Sequence, residues 1–137
     1  MLVKDVMSSN IYTVTPANSA YDAARLMNQH NVGAIPVVEG ENLHGILTDR
    51  DIVVRCVAAG KEPHNCNVKD VMTGGAACVM PNQSISDAIR IMSSEQVRRL
   101  PVVEHGKLAG IVSLADIARI RSSAETANAL TEISMPN

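Results

Sequence analysis

The chain repeats itself. Val3-Lys4-Asp5-Val6-Met7 returns as Val68-Lys69-Asp70-Val71-Met72, an offset of 65, and holding that offset without a gap from 3–55 onto 68–120 gives 22 identical residues in 53 positions. A match of that extent is a duplication, so whatever one copy folds into, the other must fold into as well. Each copy is too short to bury a sufficient core alone, which implies that two small halves share one fold within the 137 residues. The core must also be aliphatic, because Phe and Trp are absent and Tyr12 and Tyr21 are the only large rings.

The two copies carry the same local pattern. Asn18-Ser19 and Ser84 are helix N-cap signals, followed at helical spacing by Ala20, Ala23, Ala24 and Met27, and by Ile85, Ala88, Ile89 and Met92. Short β-branched runs come next, Ile35-Pro36-Val37-Val38 and Leu100-Pro101-Val102-Val103. Each is followed by a Gly-containing turn and then by Leu43–Leu47 or Leu108–Val112, which predicts an antiparallel hairpin in each copy. A second helix is expected from about Asp49 to Ala59, and from Leu114 to Arg121. The expected fold is α+β, two pseudo-symmetric repeats of strand-helix-strand-strand-helix packed sheet to sheet about a pseudo-twofold axis. The expected division is repeat 1 over residues 1–60, a linker over 61–67, repeat 2 over 68–121 and a small, polar C-terminal tail over 122–137.

Charge and composition exclude several classes. A net charge of −2 offers no broad attraction to nucleic acid or anionic lipid, so neither is expected as a partner. The N-terminus lacks the basic and then apolar run of a secretory signal and no stretch is long enough to span a membrane, so the expected location is the cytoplasm. Three cysteines, Cys56, Cys66 and Cys78, do not make a disulfide framework. Cys56, His64 and Cys66 could ligate a metal or sense redox state, but there is no Cys-x-x-Cys pair and a fourth ligand is missing; buried or loop thiols are the favoured reading and no metal site is assigned. No nucleophile, base and orienting group occur together, and there is no phosphate loop or dinucleotide fingerprint, so the chain is expected not to be an enzyme.

Val-Lys-Asp-Val-Met opening each copy, the Pro-Val-Val strands, and Gly45-Ile46-Leu47-Thr48-Asp49-Arg50-Asp51 matched by Gly110-Ile111-Val112-Ser113-Leu114-Ala115-Asp116 together resemble the cystathionine-β-synthase-type (CBS) domain pair, or Bateman module. The resemblance covers essentially residues 2–121. It implies a stand-alone regulatory module that binds an adenine nucleotide such as AMP, ADP or ATP between the repeats and transmits the ligand state to a regulated protein, unidentified from sequence. It also implies association into a homodimer. The nucleotide is a regulatory ligand and no cofactor is implied.

The resemblance carries residues as well. Thr48-x-x-Asp51 and Ser113-x-x-Asp116 stand where a strand gives way to a helix; the Asp would accept from the ribose hydroxyls and the Thr or Ser would approach the phosphate. The same spacing is a helix capping box, and the two roles can coexist. One cleft would set Asn10, Ile11, Tyr12, Val32, Gly33 and Ala34 beside Ser113 and Asp116; the other would pair Ala76, Ala77, Cys78, Val97 and Arg98 with Thr48 and Asp51. Arg98-Arg99 replace Gly33-Ala34 of the first copy, and their guanidinium forks suit phosphate oxygens, with Arg50 a further candidate. Matched methionines, Met7, Met27, Met72 and Met92, read as core. The alternative from another class is a ligand-independent dimeric scaffold for protein interaction; the remaining alternative is the Cys/His metal or redox sensor.

Overall fold

The computed structural model describes residues 1–120. The expected helix at 114–121 is present as far as it is described, Leu114–Ile120, while Arg121 and the tail at 122–137 lie outside the described residues. The elements in chain order are α1 (Ala20–His30), β1 (Ala34–Glu39), β2 (Asn42–Thr48), α2 (Asp49–Ile52), α3 (Val68–Val71), β3 (Thr73–Gly74), α4 (Ile85–Glu95), β4 (Arg99–Glu104), β5 (Lys107–Ser113) and α5 (Leu114–Ile120). The fold is α+β, with both repeats present.

The long helices start where their caps predict. Ser19 Oγ accepts from Asp22 N–H at 3.0 Å and Ser84 Oγ from Asp87 N–H at 3.1 Å, each satisfying an N–H that the first turn leaves unpaired. Both end on a left-handed residue, Asn31 and Gln96. The apolar stripes Ala20, Ala23, Met27 and Ile85, Ala88, Ile89, Met92 are buried. The hairpins pair in the same register, Ala34 with Thr48 and Arg99 with Ser113, and both shift register at the second valine of Pro-Val-Val.

Two compact units result, and they are cut out of phase with the sequence repeats. One comprises Tyr12–Ala76; among the described residues, the other comprises Met1–Ile11 together with Ala77–Ile120. The Val-Lys-Asp-Val-Met segment is the displaced part. In the Tyr12–Ala76 unit the arm that opens repeat 2 docks on α1 of repeat 1: Ala20 N–H donates to Cys66 O at 2.7 Å, Val68 N–H to Asn18 O at 2.8 Å and Lys69 N–H to Pro16 O at 3.1 Å. In the other unit the arm that opens the whole chain makes the same set. Ile85 N–H donates to Met1 O at 3.2 Å, Val3 N–H to Gln83 O at 2.9 Å and Lys4 N–H to Pro81 O at 3.0 Å. Val3, Val68 and Val71 are fully buried in the two cores.

Each arm then runs along the second strand of its hairpin. Thr73–Gly74 pairs antiparallel with Gly45–Ile46, and Ser8 exchanges both backbone hydrogen bonds with Ile111 at 2.8 and 2.9 Å. This is why glycine precedes isoleucine in both hairpins. A Cβ on Gly45 would fall 2.3 Å from Thr73 O, and one on Gly110 would fall 2.7 Å from Ser8 O, both backbone atoms. The stretch 61–67 is likewise part of a unit, since it carries a 3-10 turn at Pro63–Asn65, a stack of His64 on Tyr21 with centroids 3.9 Å apart, and the buried Cys66.

Two expected elements differ in form. The short strand opening each repeat is reduced to one parallel bridge, Val14 to Val37 and Val79 to Val102, because Pro16 and Pro81 turn the chain away two residues later. The helix expected over Asp49–Ala59 is α-helical only to Ile52; Val53–Val57 is a π-helical turn, with Ala58 N–H bonded to Val53 O at 2.8 Å. That turn sinks Cys56 into the core while Val53, Val54 and Val57 remain exposed.

Candidate functional site

Each hairpin feeds its second strand straight into a helix, and the Ser/Thr-x-x-Asp motif sits at that junction in both units. In the Tyr12–Ala76 unit the capping box is complete: Asp51 N–H donates to Thr48 Oγ1 at 3.0 Å, and Thr48 N–H donates back to Asp51 Oδ2 at 3.0 Å. Both residues are half-buried. One carboxylate oxygen of Asp51 is therefore spent on its own backbone. The next residue, Asp49, accepts from Arg50 N–H at 2.8 Å and lies against Gly33, where a Cβ would come within 3.2 Å of Asp49 Oδ2. Asp49 N–H donates to Gly33 O at 2.9 Å, which brings the segment before β1 onto the start of α2.

The second junction uses the same backbone with different side chains. Asp116 N–H donates to Ser113 Oγ at 3.1 Å, and Ser113 is the one buried polar residue among those described, at 8% exposure. The Asp116 carboxylate pairs with the Arg119 guanidinium one turn along α5 and keeps about a quarter of its side-chain surface exposed, at 25%. Leu114 N–H donates to Arg98 O at 2.8 Å, and Arg99 is the register partner of Ser113. Position 114 holds a leucine buried in the core where position 49 holds an exposed acid. The charge balance at the two junctions is therefore opposite. Asp49 and Asp51 outnumber Arg50 at the first, and Arg98, Arg99 and Arg119 outnumber Asp116 at the second.

The expected site residues divide between the units. Asn10, Ile11, Ala77, Cys78, Val97, Arg98, Arg99, Ser113 and Asp116 belong to the unit that contains the N-terminal arm; Tyr12, Val32, Gly33, Ala34, Thr48, Arg50, Asp51 and Ala76 belong to the other. Each cleft expected from sequence draws on both. Within its own unit Arg98 adjoins Ser113 and the first turn of α5, and Gly33 adjoins Thr48 and the first turn of α2. Arg98, Arg50, Asn10 and Cys78 are exposed; Arg99, Val32, Gly33, Ala34, Ala76 and Ala77 are half-buried. The Tyr12 ring stacks on His30 with centroids 3.5 Å apart and planes 12° apart.

Sequence reasoning missed Arg119 and Asp49. The Asp-x-x-Arg spacing at 116–119 was a legible signal for the first, because residues three apart share a helix face. The second had none, since only the tertiary approach of Gly33 to α2 gives Asp49 a neighbour. Among the described residues no three His, Cys, Asp or Glu side chains are grouped to hold a metal, and the His64 ring stacks on Tyr21. Among those residues, too, no helix is long and apolar enough to cross a membrane.

Comparison with known proteins matches this architecture throughout. The chain is 47% identical over 136 residues to the CBS domain-containing protein YhcV of Bacillus subtilis, covering 98% of this chain and 96% of that one. The crystal structure of Hypoxic Response Protein I with two coordinated zinc ions superposes with a TM-score of 0.81 at 37% identity, over 87% of this chain and 98% of that one. The crystal structure of CBSX2 in complex with AMP superposes with a TM-score of 0.76 at 29% identity, over 87% and 94% of the two chains. The CBS domain model matches twice, at residues 3–57 and 68–123, and so the chain belongs to the CBS-domain family and carries two such domains in tandem.

Proposed function

We propose that the chain is a non-catalytic regulatory module whose ligand is an adenine nucleotide and whose phosphate-binding side is the Arg98–Ser113–Asp116 junction. The observation that carries this reading is the grouping, in one unit, of a buried hydroxyl at a helix start, a partly exposed carboxylate and adjacent guanidinium-bearing residues. A vicinal diol donates two hydrogen bonds and suits a carboxylate; phosphate oxygens suit guanidinium and helix-start N–H groups. The AMP complex of the related CBSX2 supports the adenosine class. The Asp116–Arg119 pair gives the resting state of the carboxylate: a diol takes the oxygen that Arg119 holds, and Arg119 is released toward the anion. AMP, ADP and ATP share this chemistry.

The nucleotide acts by favouring one of two arrangements of the protein, and it does so only in proportion to its difference in affinity for them. The readout surface is a homodimer in the cytoplasm that presents a partner-binding face. The exposed aliphatic side chains Val53, Val54 and Val57 on one π-helical turn support self-association, because a contiguous apolar patch left in water is costly. The same patch is what would favour the second reading, a ligand-independent scaffold.

Thermal unfolding with AMP, ADP, ATP and adenosine separates the two. Ligand at a hundred times its dissociation constant stabilises by about 2.7 kcal/mol, a rise on the order of 10 °C for a domain of this size. Asp116→Ala is expected to remove most of the shift and Asp51→Ala little of it. No shift with any of the four compounds would leave the scaffold.

A further inference from the structure

We propose that Cys56 and Cys66 form a reversible intramolecular disulfide that clamps the exchanged arm of the Tyr12–Ala76 unit to the π-helical end of α2. Cys56 closes that helix and Cys66 opens the arm, and both sulfurs lie in the same aliphatic core, at 0% and 3% exposure. The chain between them returns on itself: Lys61 N–H donates to Cys56 O at 3.0 Å, and the Cys56 thiol donates to Lys61 O at 3.7 Å. The backbone on either side is pinned, since Cys66 O accepts from Ala20 N–H at 2.7 Å and Ala58 N–H closes the π turn. Burial and then the side-chain contact with Cys66 push the Cys56 thiol pKa upward, so in the resting protein it is a thiol facing a second thiol.

The pair is specific to the first repeat. The positions 65 residues away are Arg121 for Cys56 and Met1 for Cys66, so the duplication alone does not account for it. A disulfide requires two sulfurs held close: the helix end is bonded back onto its outgoing loop at Lys61, five residues before Cys66, and the two cysteine side chains meet in the same core.

The oxidant is a hydroperoxide. One cysteine, as its thiolate, attacks the peroxide oxygen and becomes a sulfenic acid as the O–O bond breaks and water or an alcohol leaves. The other sulfur displaces hydroxide from the sulfenic sulfur, forming the S–S bond and a second molecule, water. Two thiols lose two electrons and two protons, and the peroxide takes them up. A low-molecular-weight thiol reverses the step by exchange. Because both sulfurs are buried, the rate follows the opening of the arm and is slow at neutral pH, where the raised pKa keeps Cys56 protonated, rising as alkali ionises Cys56.

The consequence is local: the arm carrying Val68 and Val71, which holds the first core closed, changes from a docked segment to a covalently fixed one. This does not depend on nucleotide binding. The test treats the full chain with excess hydrogen peroxide, blocks remaining thiols with an alkylating reagent under denaturing conditions, and maps the peptides. The expected product lacks the mass of two hydrogen atoms, carries a Cys56–Cys66 cross-linked peptide removed by dithiothreitol, and shows slower amide exchange over residues 66–74. Cys78→Ser, which removes the exposed thiol, is expected to form the same product; Cys56→Ala is not. Recovery of Cys56 and Cys66 both alkylated, with oxidation confined to Cys78 or to methionine, overturns the proposal, and that result can be read on the unmodified protein even if Cys56→Ala fails to fold.

Discussion

The two strand-to-helix junctions have nearly the same backbone and the same Ser/Thr-x-x-Asp signature, yet they use the aspartate differently. At Thr48–Asp51 the carboxylate turns back to the Thr48 N–H and completes a capping box, with a second acid, Asp49, beside Gly33. At Ser113–Asp116 the cap is made by the serine, the carboxylate pairs with Arg119, and Arg98 and Arg99 bring positive charge. Duplication supplied two equal frames; substitutions at positions 33, 49 and 54 against 98, 114 and 119 left one junction acidic with a closed capping box and made the other rich in arginine. A motif that reads identically twice can thus carry two different hydrogen-bond and charge arrangements.

The arms give the comparison its strongest test, because each hairpin accepts its arm only through a glycine. Gly45→Ala is expected to cost about 3 kcal/mol and Gly110→Ala about 2 kcal/mol in chemical denaturation, since the clashing atoms are backbone oxygens that move only with the arm. The order follows from the closer approach at Gly45, 2.3 Å against 2.7 Å. Equal costs would mean that the arms relax freely and that the two units are held more alike than their geometry suggests.

A smaller effect separates the aspartates. Asp51→Ala is expected to lower stability by about 1 kcal/mol, the ordinary worth of a helix cap, while Asp116→Ala lowers it by about half as much because an exposed i,i+3 ion pair contributes little. The ligand response should run in the opposite order. A variant pair in which stability and ligand response fall together would erase the division of labour between the junctions.

The smallest expected difference is in alkali. The raised thiol pKa of Cys56 means that the folded state keeps a proton which the unfolded chain gives up near the ordinary value of 9.0. Its contribution is complete below that pH and is lost as pH rises toward the folded-state value, so stability declines from about pH 9 upward. Stability curves of reduced protein against pH, for wild type and Cys56→Ala, check this: the variant should lack that part of the decline.

Much of this was legible in the residues. Helix caps at Ser19 and Ser84, hairpins flanking Gly40 and Gly106, and the aliphatic stripes all act through neighbours a few positions apart, and local spacing records such contacts directly. The arms were not legible, although Val-Lys-Asp-Val-Met was the clearest repeat in the chain. Its valines have the same helical spacing whichever α1-like helix they dock on, so repetition showed that the segment mattered and not where it went. The grouping of Arg98 is similar: a hydrogen bond from Leu114 N–H to Arg98 O joins residues 16 apart, and no periodicity encodes it.

The amino-acid order by itself determined two copies of an aliphatic helix-and-hairpin unit, with a hydroxyl-and-carboxylate pair at each helix start, because hydrogen-bond caps and alternating burial are short-range. Only the tertiary structure decided which arm completes which core, which aspartate is spent on its own backbone, and that Cys56 and Cys66 share one interior. Those outcomes depend on long-range closure, where identical local signals have more than one place to go and packing selects among them.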